Sequence, residues 1–292
     1  MSPLGTTQQS LFLAAGLGRL QSLNDAASAR VSSGKRIDTP AADVAGVGMA
    51  AKLDGQQARL RGVEINLQNG VSRMQSTAGQ LNTISRVVTR LSELSVLGSN
   101  ATQDAKSRSL YQVEFTKLQD QLRQTIGGTT AEIGGTADVS NPSGTYNGTR
   151  LFGAAAAETL SVGLQADEQI TLPSMNLSNG AMGALISQDA SGNYTTTIAS
   201  LGAGTTINDA LTQTGQVLAN VGAVQSRIDF SVNIAATASA NHEAALSVIR
   251  DADLATDVTA ISRLNMLRDA HNAMLAQSRD SGAKLIGLLS RN

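Results

Sequence analysis

The chain has 292 residues, a formal net charge of −1, no cysteine, no tryptophan and only 2% aromatic residues. Near-neutrality gives no long-range pull toward nucleic acid or an anionic membrane surface, and the missing thiols exclude disulfides, thiol catalysis and cysteine-ligated zinc. Burial must come from Ala, Leu, Val and Ile, whose side chains suit close helix packing.

No apolar run reaches the ~18 residues of a membrane span. Met1 to Ser10 lacks the basic and apolar regions of a Sec signal, so export would use another route. From Gln8 to Val31 the pattern is weakly amphipathic, with Leu11, Leu13, Leu17, Leu20, Leu23, Ala27 and Val31 on a broad face. Gly16 and Gly18 interrupt it at about 1 kcal/mol each, and this helix is expected to be ordered only against a partner. Ser32-Ser33-Gly34 marks a break, with Gly34 suited to a left-handed position after a helix, and an irregular connector follows through Asp38-Thr39-Pro40.

A long helix is expected from Ala41, where small residues around Asp43 and Gly46 permit close backbone approach. Leu60, Leu67, Met74, Leu81 and Val88 recur at heptad spacing, and Val63, Ile84 and Leu91 supply most of a second row. Both rows fall on one stripe of a helix and ask for a partner helix. From Leu53 to Leu97, at ~1.5 Å per residue, that helix would be ~65 Å long. Asp104 is a candidate N-cap for the next helix, whose apolar face is read as Leu110, Val113, Leu118, Leu122 and Ile126.

From Gly127 to Gly204 the composition shifts to Gly, Thr, Ser and Ala. Short segments, Glu168 to Leu172 and Tyr194 to Ile198, read as strands among hairpins and loops. Helical pattern resumes near Asn208, a candidate cap. The rows Ile207, Val221, Ile228, Ala235 and Ile249, and Leu211, Leu218, Val232 and Leu246, repeat the heptad step. Asp251 to Leu289 is again amphipathic through Leu254, Val258, Ile261, Leu264, Leu267, Met274, Leu285 and Leu288, with Asp251 and Asp253 read as helix-start acids.

The pattern predicts a mainly α fold: a long antiparallel helical or coiled-coil rod with paired terminal helices and a small β-rich insert. Residues 1–40 and 251–292 would form an inner domain, 41–127 and 205–250 the rod, and 128–204 a small outer region. His242 and His271 lie on separate helices, and no P-loop, G-x-S-x-G or H-E-x-x-H pattern occurs. No catalytic residue, metal or cofactor is expected. A rival reading, a soluble helical binding module or enzyme, would require a well-folded monomer with protease-resistant ends.

Five segments resemble the bacterial flagellin family. Val31-Ser32-Ser33-Gly34-Lys35-Arg36-Ile37-Asp38, with Asp43, Ala45, Gly46 and Ala50, is similar to L-S-S-G-x-R-I-N followed by D-D-A-A-G-x-A-I-A. Thr89 to Val96 resembles R-x-x-E-L-A-V, and Tyr146-Asn147-Gly148 resembles F-N-G. Leu218 to Ile228 is similar to L-G-A-x-Q-N-R-F, and Asp251 to Val258 to D-A-D-Y-A-x-E. Val44 stands where a second acid is common, and the glycine-rich link from Gly127 to Gly144 is longer than the family pattern.

The resemblance implies a subunit of the extracellular flagellar filament that polymerises with itself, or the related hook–filament junction protein of the same architecture. It implies further partners: a type III export apparatus, an export chaperone, a filament cap and hook-junction proteins. Ser33, Gly34, Arg36, Asp43, Gly46, Asp251 and Asp253 would serve assembly and the connectors. Arg90, Glu93, Leu94 and Glu114 match positions through which some members engage a host Toll-like receptor, although Leu94 also suits packing between subunits. Neither nucleic acid nor membrane is an expected partner.

Overall fold

A computed structural model describes residues 3–153, 158–165, 167–200 and 205–289, the side chains of 3–10, 282 and 285–289 excepted. It is mainly α, with long helices and a few short antiparallel strands. Contacts divide the chain into two compact units, Met1–Ala58 with Ala240–Asn292, and Arg59–Ser239. No described helix is long and apolar enough to cross a membrane.

Helix α1 spans Pro3–Ser33 and ends where Gly34, at φ +67°, donates its N–H to the carbonyl of Arg30 (2.8 Å). Helix α2 spans Val44–Ser99. It begins three residues later than Ala41 because Asp43 is its cap: the carboxylate accepts from the N–H of Gly46 (2.8 Å), while Thr39 to Ala42 close a turn. Asn100 stops it by accepting from the N–H (2.9 Å) and hydroxyl (2.8 Å) of Thr102. Asp104 then caps α3 (Ala105–Ile126) as the sequence suggests, accepting from Ser107 N–H at 2.9 Å.

In the second unit the heptad reading holds. Leu60, Val63, Leu67, Met74, Leu81, Ile84, Val88 and Leu91 are all buried, and Ile207, Val221, Ile228 and Ala235 of the second long helix join most of them in one core. The expected face of α3 holds only in its second half. Leu122 and Ile126 are buried and Leu118 packs against the core, but Leu110 and Val113 are exposed, and Phe115, Gln119 and Arg123 turn inward as well. Two polar side chains thus occupy positions that an apolar reading assigns to solvent.

The insert contains α4 (Thr130–Ile133), a hairpin of β1 (Thr145–Tyr146) and β2 (Thr149–Arg150), a second antiparallel pair of β3 (Glu158–Ser161) and β4 (Gln169–Leu172), and α5 (Gly180–Ile186). Asn147 (φ 49°) and Gly148 (φ 76°) form the two-residue turn between β1 and β2, which demands two left-handed residues. Gln169–Leu172 realises the strand expected from Glu168. Tyr194 to Ile198 does not become a strand, because α3 takes the groups a neighbouring strand would use. Gln119 donates to the carbonyl of Thr196 (3.0 Å), Gln112 accepts from the N–H of Ile198 (2.9 Å), and the Tyr194 hydroxyl donates to Asp120 (2.8 Å).

Helix α6 covers Thr205–Arg250 and α7 covers Leu254–Leu289. Asn208 is not the cap of α6 but lies inside its first turn, its carbonyl accepting from the hydroxyl of Thr212 (2.9 Å). In the first unit α1 packs along α7. The contacts of Gly16 with His271, Asn24 with Asn265 and Arg30 with Asp257 advance along one helix and retreat along the other, so the pair is antiparallel.

Candidate assembly surface and connectors

The two connectors are bonded to each other. Lys35 and Asp251 form an antiparallel bridge, in which Arg36 donates its N–H to Arg250 O (2.6 Å) and Ala252 donates to Gly34 O (2.9 Å). The guanidinium of Arg36 closes the same junction, with Nε and Nη2 donating to Ile249 O (3.1 and 2.7 Å) and Nη2 lying 3.5 Å from Asp43. Asp43 is already the cap of α2, so one side chain on the first connector touches the end of α6 and the start of α2. Ser33 contributes weakly, accepting from Lys35 N–H at 3.3 Å.

Gly46 is required by that cap. A Cβ there would stand 2.5 Å from Asp43 Oδ2 and 2.8 Å from Ile37 Cδ1. Gly34 differs: a Cβ would meet nothing within 4 Å, and only the left-handed backbone at φ +67° resists a side chain. Gly34→Ala should therefore cost about 1 kcal/mol through conformation alone. Circular dichroism of the monomer is expected to keep its helical signal while the unfolding midpoint falls slightly; an unchanged midpoint would show that the left-handed backbone at Gly34 costs nothing.

The two acids at the second connector have separate roles. Asp253 caps α7, accepting from the N–H of Ala255 (3.0 Å) and Thr256 (3.2 Å) and from the Thr256 hydroxyl (2.8 Å). Asp251 does not start the helix; it lies in the bridge, 3.6 Å from Arg250. The hydroxyl of Thr256, followed by the backbone amides, holds the Asp253 pKa below its ordinary value. A carboxylate depressed on folding stabilises above its unfolded pKa of about 3.9, and that contribution disappears as pH falls through the lower folded value. The helix-start stabilisation lost by Asp253→Ala, which removes the acceptor, should accordingly shrink on acidification below about pH 4; equal losses at pH 7 and at pH 2 would contradict a cap that acts as the carboxylate.

Sequence reasoning missed the polar contacts between α1 and α7. Arg30 grips Asp257 with Nε at 3.1 and 3.3 Å and Nη2 at 2.7 Å, and this hydrogen bonding raises the Arg30 pKa. Asn24 donates to Asn265 (3.0 Å), and the ring of His271 lies where a side chain on Gly16 would sit, 3.1 Å from that Cβ. Gly16, read as a weak point, is the notch that admits the imidazole. An asparagine or arginine on an otherwise apolar face was the signal available.

Outside this seam the helix pair leaves several large apolar side chains uncovered among its polar ones. Leu11, Phe12 and Leu23 of α1 and Leu254, Val258, Met266, Leu267 and Met274 of α7 are exposed, Phe12 at 83%. The apolar stripe predicted for α7 is thus only partly used within the chain; Leu285 and Leu288 fall outside the described side chains. The second unit has its own exposed apolar residues, including Leu110 and Val113 of α3 and Phe230 and Ile234 of α6. Hydrophobic side chains left on both faces of a helix call for further partners.

Arg90, Glu93 and Glu114 form an exposed ionic cluster, with Arg90 at 2.8 Å from each acid. The hydrogen bonds that Arg90 donates to Glu114 and, next in weight, to Glu93 raise its pKa. Leu94, by contrast, is wholly buried in the core of its own unit. Among the described residues there is no cluster of metal-ligating side chains.

Comparison with known proteins agrees with this construction. Residues 5–132 match the bacterial flagellin N-terminal helical region, and residues 205–289 match the bacterial flagellin C-terminal helical region. A flagellin of Bacillus subtilis (strain 168) is 30% identical over 94% of this chain and 96% of its own length. A flagellar filament 30.7 kDa core protein of Treponema maltophilum is 28% identical over 89% and 90%, and a flagellin of Halalkalibacterium halodurans is 27% identical over 89% of each. The matched regions carry the long helices and the paired terminal helices, and the chain belongs to the bacterial flagellin family.

Proposed function

We infer that the chain is a structural subunit of the extracellular bacterial flagellar filament, built by self-polymerisation. The observation that carries this is the unspent apolar surface of α1 and α7, on a chain whose matched regions include both helices. Each exposed leucine or phenylalanine buried against a neighbouring subunit contributes about 1.5 to 3 kcal/mol, and repeated contacts that do not close into a ring give an open helical polymer. The work is structural: it consists of holding neighbours in place.

The inner domain in this reading is 1–40 with 251–292, the helical domain 41–127 with 205–250, and the outer region 128–204. Ser33, Gly34, Arg36, Asp43, Gly46, Asp251 and Asp253 carry the connection between the first two. An export apparatus of type III, an export chaperone, a filament cap and hook-junction proteins are the further partners. A Toll-like receptor would meet Arg90, Glu93 and Glu114, the exposed members of its candidate site. Purified chain seeded on filament fragments should elongate them along their length under the electron microscope. A chain found in native flagella only at the filament base would instead be a hook–filament junction protein.

A further inference from the structure

We propose that Arg30–Asp257 and the seating of His271 on Gly16 select the register of the terminal helix pair, rejecting a slip of one heptad that the apolar and asparagine contacts leave open. The inference goes beyond the filament reading, since register is a property within one chain.

A slip carrying α7 one heptad along α1 replaces each residue at the seam by the residue one heptad later. Asp257, Ala260 and Arg268 would be replaced by Leu264, Leu267 and Leu275, while Ile261 and Leu264 would give way to Arg268 and His271. The seam would gain three leucines and lose an isoleucine and a leucine, so apolar burial does not favour the observed alignment. The asparagine pair does not distinguish the two either, because Asn272 would take the place of Asn265 opposite Asn24.

Two contacts do change. Arg30, which holds Asp257 through three hydrogen bonds, would face Leu264 and lose its charge-assisted acceptor. Ser278 would replace His271 over Gly16, leaving the notch unfilled, while the imidazole moved toward Leu23 and Asn24. A paired polar contact specifying alignment at an otherwise degenerate seam is the established use of such residues in helix pairs. The connector bridge between Lys35 and Asp251 also resists slipping, but it consists of backbone bonds at an exposed junction, and unwinding the first turns of α7 would relieve it.

The native chain has no cysteine, which makes disulfide trapping clean. Ala27→Cys with Ala260→Cys reports the observed register, both positions lining the cleft between the helices, and Ala27→Cys with Leu267→Cys reports the slipped one. Each pair is placed in the full chain, co-polymerised with excess parent chain and oxidised. The first pair should bridge at least about tenfold better than the second, the discrimination of one well-formed contact. In the triple variant Arg30→Leu, Asp257→Leu and His271→Ala that preference should fall to within about threefold, whereas the exchanged pair Arg30→Asp with Asp257→Arg should retain it. A triple variant keeping the parent preference would overturn the proposal and leave register to the connectors. A triple variant that fails to enter the polymer would also overturn it, since the contacts would then hold the helices together rather than choose between alignments. Failure of the parent chain to polymerise at all strikes the filament reading instead.

Discussion

Phe12→Asp combined with Met274→Asp should leave a helical monomer that no longer polymerises. Both side chains are mostly exposed, so the changes remove little packing within the chain, and exposed substitutions of this kind usually alter monomer stability by less than about 0.5 kcal/mol. In the polymer the same residues would lie against neighbours. Losing the burial of a phenylalanine and a methionine forfeits about 3 to 6 kcal/mol per subunit, before the cost of desolvating two carboxylates. At 1.4 kcal/mol per factor of ten, the critical concentration should rise by at least about a hundredfold. Sedimentation of seeded mixtures measures it directly, beside circular dichroism of the monomer. An unchanged critical concentration would mean that these faces of α1 and α7 meet solvent in the assembled filament.

Arg123→Leu should loosen the whole glycine-rich insert while sparing the long-helix core. Arg123 is only 5% exposed, and its guanidinium donates to three carbonyls of the insert, Ile133 (2.6 Å), Ile186 (2.9 Å) and Gly134 (2.6 Å). Burial pulls its pKa below the ordinary arginine value, yet an arginine stays charged in a protein, and those carbonyls solvate the charge. Leucine would abandon buried acceptors at about 1 to 3 kcal/mol each, so a loss of about 3 kcal/mol or more is expected. Arg123→Lys should recover only part of it, because a point charge does not reproduce the planar fork. Hydrogen exchange should show amides of 127–200 exposed early and those of α2 near Leu81 still protected. Uniform protection throughout would show that the apolar contacts of Phe152, Leu177 and Ile186 suffice.

Sequence patterning was most informative where one physical rule acts alone. The heptad rows of α2 and α6 predicted a stripe of buried residues because helical geometry converts spacing directly into a face. Asp104 was legible as a cap because its chemistry is local. Reading failed where a distant group competed for the backbone. Tyr194 to Ile198 has strand composition, but Gln112, Gln119 and Asp120 of α3 occupy its hydrogen-bonding groups and hydroxyl. Leu110 and Val113 looked like core and are exposed, while Gln119 and Arg123 looked like surface and are buried. Their value lies in carbonyls supplied by segments far away in the chain.

The connectors divide in the same way. Gly34 and Asp253 were identifiable because a left-handed break and a helix cap are properties of a few consecutive residues. The bridge between Lys35 and Asp251, the reach of Arg36 to Ile249 and the grip of Arg30 on Asp257 depend on which residues far apart in the sequence meet in space. By itself, then, the sequence determined the helices, the buried stripes of α2 and α6 and the family, since spacing and capping are local and motifs are linear. Only the tertiary structure decided which polar groups satisfy one another and which apolar residues stay exposed for neighbours, because a side chain's worth is set by the partner and the water around it.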